Sequence, residues 1–183
     1  MTLDSTLKGD SLTRTYNGEA LSSTAECNVE GATIEYSTNN EDWSTDVPSI
    51  TDVGELIVYA KATCENYTDA TCQYTLKVTP KAVTVKANDS GKTYGAEEPA
   101  LTASVSGTLN DDTIDYSVSR DAGENVGKYA ITVTGDANQG NYSVTYQPGT
   151  FTITASNAMT LDSTLKGDSL TRTYNGEALS STA

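Results

Sequence analysis

Residues 127–155 read GKYAITVTGDANQGNYSVTYQPGTFTITA, and the class of the fold follows from them. In GKYAITVTG (127–135) and GTFTITA (149–155) apolar side chains recur at every second residue, the period of a pleated strand with one buried face. Between them DANQGN gathers Asp, Asn and Gly, which supply left-handed backbone conformations and local side-chain hydrogen bonds, so the chain turns there.

The same alternation extends outward. KAVTVKA (81–87), PALTASVSG (99–107) and TIDYSVSR (113–120) precede it, and ATIEYST (32–38), ELIVYAKAT (55–63) and CQYTLKVT (72–79) occupy the first half. NNED, LNDD and DAGEN separate the runs as further turn clusters. Composition agrees, because eleven Tyr and abundant Thr, Ser and Val accompany few of the good helix formers. The chain is predicted to be all-β, as two tandem Ig-like β-sandwich domains, each closing its own small core. Ubiquitin-like β-grasp modules are the runner-up, since LNDD can open a short helix.

A diverged internal repeat sets the domain boundaries. TYNGEAL from Thr15 matches TYGAEEPAL from Thr93, and DVGELIV from Asp52 matches NVGKYAI from Asn125. ENYTDATCQYTLKVT from Glu65 matches GNYSVTYQPGTFTIT from Gly140, with a two-residue difference at the tip that sets Cys72 against Gly149 and Tyr74 against Phe151. The units are 1–79 and 80–155, meeting at Thr79-Pro80-Lys81. Residues 156–183 form a third segment, in which Met159 to Ala183 copies Met1 to Ala25 without a change. Ser156-Asn157-Ala158 directly before a Met resembles the remnant of a cleaved expression tag, so this segment is read as an artefact of production. A native repeat restart is the alternative, and such a tail can donate or exchange a strand with another copy.

Four blocks of the second unit, KAVTVKANDSGKTYGAEEPAL (81–101), VSGTLNDDTI (105–114), SRDAGENVGKYAI (119–131) and GNYSVTYQPGTFTIT (140–154), resemble the bacterial surface repeat called the MBG domain, YGX type. The first unit resembles it more distantly, through TYNG, WSTDVPSITDVG and ENYTDAT. The resemblance implies Ig-like modules arrayed in large exported, adhesin-like proteins of the bacterial surface. It implies no catalytic residues and no cofactor, and the three cysteines depart from its usual pattern.

A formal charge of −14, from 25 acidic and 11 basic residues, repels phosphate backbones and anionic lipid, which excludes nucleic acid and membrane as partners. Apolar runs such as LIVYA (56–60) are too short to span a bilayer, and an export signal is expected to lie outside this sequence. With no His, catalysis would need a carboxylate pair, and no pair stands out among so many acids. Weak calcium candidates are Asp136 and Asn138 in DANQGN and Asp111 and Asp112 in NDD, although the first loop lacks a closing acid and these letters also make good turns.

Among the cysteines, Cys64–Cys72 across a hairpin mouth is the favoured disulfide, with Cys27–Cys64 between sheets and free core-filling thiols as alternatives. Trp43 is a candidate for stacking on a sugar ring, against its plainer reading as a half-buried anchor. Tyr16, Tyr94 and Tyr174 are read as packing and turn residues.

These features together point to a non-catalytic extracellular spacer or stalk within a bacterial cell-surface protein, with neighbouring repeats as partners. The alternatives are a module binding carbohydrate or a host protein, and an accessory domain of a secreted hydrolase.

Overall fold

A computed structural model describes residues 12–109 and 111–157. The copied tail, Tyr174 and any strand exchange therefore lie outside the described residues, as does Asn110 of the NDD turn. The first half holds β1 (Thr13–Thr15), β2 (Leu21–Ser22), β3 (Thr33–Ser37), β4 (Ser49–Ile50), β5 (Gly54–Thr63) and β6 (Ala70–Thr79). The second holds β7 (Lys81–Ala87), β8 (Ser90–Thr93), β9 (Ala103–Ser106), β10 (Ser117–Arg120), β11 (Gly127–Thr134), β12 (Asn138–Gln139), β13 (Tyr142–Gln147) and β14 (Gly149–Thr154). Among the described residues there is no helix, and no sheet mixes strands of the two halves.

Both halves contain the same four-stranded sheet. Its order is β3-β5-β6-β1 in the first and β10-β11-β14-β8 in the second. In each, a long antiparallel hairpin forms the centre and a short strand from the start of the unit lies parallel to the last one. The parallel contact ends identically: Tyr16 N–H donates to the Thr79 carbonyl at 2.8 Å, and Tyr94 N–H to the Thr154 carbonyl at 2.8 Å.

These registers correct the repeat alignment. Gly54 stands opposite Val78 and Gly127 opposite Ile153, so Val78 corresponds to Ile153, Leu76 to Phe151 and Tyr74 to Gly149. No two-residue difference exists at the tip. A slip by two keeps every side chain on its original face, so period-two patterning alone does not reveal it.

The halves differ in their second sheet. In the second half β12-β13-β7-β9 forms it, facing β10-β11-β14-β8, whereas in the first only the ribbon β2-β4 is present among the described residues. The stretch before β1 that corresponds to β7 lies outside the described residues; within the second half, the last hairpin strand is broken at Pro148. That proline has no N–H for a ladder and separates β13 in one sheet from β14 in the other. Gln73 at the corresponding position lets β6 run unbroken for ten residues.

Strand β13 was missing from the sequence-derived strands although Tyr142 and Val144 point inward with polar residues between them. β1 and β8, reading TRT and SGKT, carry no apolar pattern at all and owe their conformation to the strand beside them. At LNDD, the place where a β-grasp fold would need its helix, Asp112 N–H returns to the Leu109 carbonyl at 2.8 Å and Asp111 has φ 60°, which makes a turn.

The expectation of two separate cores is also corrected. Val58, Leu76 and Val78 fill the first half and Val83, Val85, Ile131, Phe151 and Ile153 the second, but the buried side chains form one continuous cluster. Tyr16 and Tyr142 join them, meeting edge to face with ring centroids 5.7 Å apart. Phe151 is fully buried. Phe151→Ala is expected to cost about 3–5 kcal/mol, measured as a lower urea midpoint at unchanged slope; a loss below about 1 kcal/mol would contradict this core.

Candidate functional site

The junction of the halves carries a connected set of polar and aromatic contacts. β6 ends at Thr79 and β7 starts at Lys81, so Pro80, with its fixed φ, is the whole linker. From the turn between β12 and β13, where Gly140 takes φ 55°, Asn141 reaches back to the first half. Its Oδ1 accepts the Val53 N–H at 2.7 Å, its Nδ2 donates to Asp52 Oδ1 at 2.9 Å, and its carbonyl accepts the Lys81 N–H at 3.0 Å. Tyr142 follows directly, with its ring against Tyr16. The Tyr142 hydroxyl donates to Asp112 Oδ2 at 2.5 Å and accepts the Leu109 N–H at 3.0 Å. Burial first, and then the Asp112 carboxylate, raise its pKa above the ordinary tyrosine value.

Beside this junction an open groove of about 820 Å³ runs over Asp112, Asp115, Tyr116, Asp136 and Asn138. Two of the calcium candidates, Asp136 and Asn138, thus share a wall with Asp112, while Asp111 does not line it. Part of the loop is held by hydrogen bonds to its backbone carbonyls. Gln139 Nε2 donates to the carbonyls of Asp115 and Asp136 at 2.8 and 3.1 Å, and the Tyr146 hydroxyl donates to the Asp136 carbonyl at 2.9 Å. Among the described residues no three His, Cys, Asp or Glu side chains group as a metal site.

At the opposite edge of the second half Lys92, Glu98, Arg120 and Glu124 form a closed ionic network. Lys92 Nζ lies 2.8 Å from Glu98 and 2.6 Å from Glu124, and Arg120 contacts both carboxylates. The two cations are nearly covered, with side chains 8% and 11% exposed. The Arg120 guanidinium sits 4.7 Å over the Phe151 ring, so the network lids the core. Sequence reading singled out none of these residues, because the partners lie far apart along the chain.

Trp43 is half-buried, and Lys61 Nζ stands 4.7 Å from its ring centroid while also pairing with Glu35 at 3.0 Å. One ring face is therefore occupied by a cation. The cysteines need a larger correction, since all three thiols are free. Cys72 lies opposite Ala60, and Cys64 lies just past the end of that strand, four residues beyond Ala60, or about 13 Å at strand rise, against the roughly 7 Å between Cα atoms that a disulfide tolerates. A Cys64–Cys72 bridge does not fit this register. Cys64 borders a small cavity with Val29 and Tyr67, whereas Cys27 and Cys72 share another of about 20 Å³, floored by Ala60, Ala62 and Ala70. That juxtaposition also disfavours Cys27–Cys64.

With this geometry in place, residues 83–152 match the family model described as MBG domain (YGX type), a domain found in bacterial surface proteins. No curated protein matches the chain.

Two outcomes follow from the ionic network and the cysteines. Arg120 first and Lys92 second lower the Glu98 pKa from 4.5 to about 2, so the stabilisation is present above about pH 4.5 and is lost as pH falls through about 2. Thermal melts over that range should drop more steeply for the unsubstituted chain than for Glu98→Gln; parallel curves would show that the network contributes nothing. Oxidation of the chain with a glutathione disulfide, followed by non-reducing peptide mapping, should return a Cys27–Cys72 link and no Cys64–Cys72 link.

Proposed function

Starting from a second half that carries an MBG domain of the YGX type, we propose that this chain is a non-catalytic spacer within a larger bacterial cell-surface protein, built of two Ig-like modules held as one stiff rod. The observation that carries this reading is Asn141. One side chain satisfies a backbone amide and a carboxylate of the neighbouring module, beside an aromatic pair, across a linker of one proline. Each of those hydrogen bonds contributes roughly 0.5–1.5 kcal/mol net, and the tyrosine pair a similar amount beyond its buried area. A junction with that many fixed contacts resists bending, which is what a stalk requires and what a freely jointed pair of binding domains does not. The charge of −14 adds mutual repulsion between neighbouring stalks and suits an extracellular location.

A second reading rests on the groove beside Asp115, Tyr116 and Asp136, whose polar lining suits a carbohydrate or a polar loop of a host protein better than an apolar ligand. Glycan-array binding abolished by Tyr116→Ala would favour it over the spacer.

For the spacer reading, Asn141→Ala should leave the fold intact while loosening the junction. Small-angle scattering is expected to show a broader distribution of maximum dimensions, and amide exchange at Val53 should quicken by about tenfold, equivalent to ~1.4 kcal/mol. Unchanged scattering and exchange would defeat the stiff-rod proposal.

A further inference from the structure

The far end of the second module repeats the near side of the junction, with nothing of this chain's described residues covering it. Tyr94 stands to Thr154 as Tyr16 stands to Thr79, in strand register and in the 2.8 Å hydrogen bond alike. Asn125 and Val126 stand to Gly127, opposite Ile153, as Asp52 and Val53 stand to Gly54, opposite Val78. In the first module these groups form the seat for Asn141 and Tyr142. The difference is in their cover: Tyr16 is 8% exposed and Tyr94 54%, while Val53 packs against the core and Val126 is 57% exposed.

We propose that Tyr94, Asn125 and Val126 form a docking seat for a further module of the same kind, joined in the chain after Ala155 and presenting an Asn-Tyr turn like that of Asn141 and Tyr142. The inference rests on the spacer reading and specifies its partner. Three features support this occupant. Tyr94 and Val126 are both exposed at this end, whereas the corresponding pair, Tyr16 and Val53, is covered in the occupied seat. The partner-facing groups are of the same chemical types as in the occupied seat: an aromatic ring, a valine N–H, and a side chain, Asn125 in place of Asp52, whose oxygen can accept from an incoming amide. Ala155 follows Thr154 as Pro80 follows Thr79, so a following module would enter at the same distance from its seat. Repetition of one head-to-tail contact gives an open linear array, as a stalk needs. Tyr67, the counterpart of Tyr142 at the other end of the pair, is 43% exposed and would present the complementary half to a preceding module.

The test extends the chain after Ala155 with a second copy of residues 81–155 and compares it with the unextended chain. Amide exchange at Val126 should slow by about tenfold in the extended chain, and Tyr94→Ala should reverse most of that protection. Because Tyr94 is exposed, the same substitution should leave the melting temperature of the unextended chain unchanged, which separates loss of docking from loss of folding. Val126 exchange equal in both chains, or a third module that scattering shows to swing freely while the first two stay aligned, would overturn the docking seat and leave the spacer reading standing. Concentration-dependent self-association of the unextended chain that is lost in Tyr67→Ala would also overturn it, by making a second copy the occupant.

Discussion

A short strand from the start of each unit lies parallel to its last strand, and the rest of the molecule is arranged around that contact. It ties an early strand of each unit to its end and fixes the tyrosine that follows at the edge where the chain leaves the unit. Neither TRT nor SGKT has the apolar content to hold a strand in isolation. Their backbone groups are satisfied by β6 and β14, which are anchored through Leu76, Val78, Phe151 and Ile153. The core therefore positions the edge, and the edge positions the junction.

On this shared framework the described residues of the two halves differ along the last hairpin strand. Pro148 breaks the last hairpin strand of the second half, so β13 joins one sheet and β14 the other, and the unit becomes two sheets face to face. In the first half the unbroken β6 carries Cys72 along the core face toward Cys27, over a floor of alanines. Tyr74, which stands where the second half has Gly149, uses the space differently. Its hydroxyl donates to the Ser23 carbonyl at 2.6 Å and pins the segment leading to Cys27, and burial raises its pKa to about 12.

At the junction a continuous core and a single-residue linker join the two units. Burying the Tyr16 and Tyr142 rings removes apolar area from water, while Asn141 satisfies the part-buried Val53 N–H and pairs with the exposed Asp52 carboxylate. On the spacer reading proposed above, stiffness would come from that combination. Hydrophobic contact alone is non-directional and would permit rocking, whereas the amide of Asn141 accepts only one orientation.

Local chemistry was legible from the residues alone. Alternation marked most of the strands, Gly, Asn and Asp marked the turns, the TYN and TYG repeats fall at equivalent places after β1 and β8, and the blocks of 81–154 pointed to the family that residues 83–152 match. Those features depend on neighbours along the chain, where the strand period and turn preferences act. What only the tertiary structure decided was which distant groups meet: the hairpin register that separates Cys64 from Cys72, the Lys92–Arg120 network, and the burial of Tyr16 beside the exposure of Tyr94. Strand patterning repeats every two residues and so leaves register and partner open. The two tyrosines sit in nearly the same local sequence, and their environments differ because one has a module packed over it.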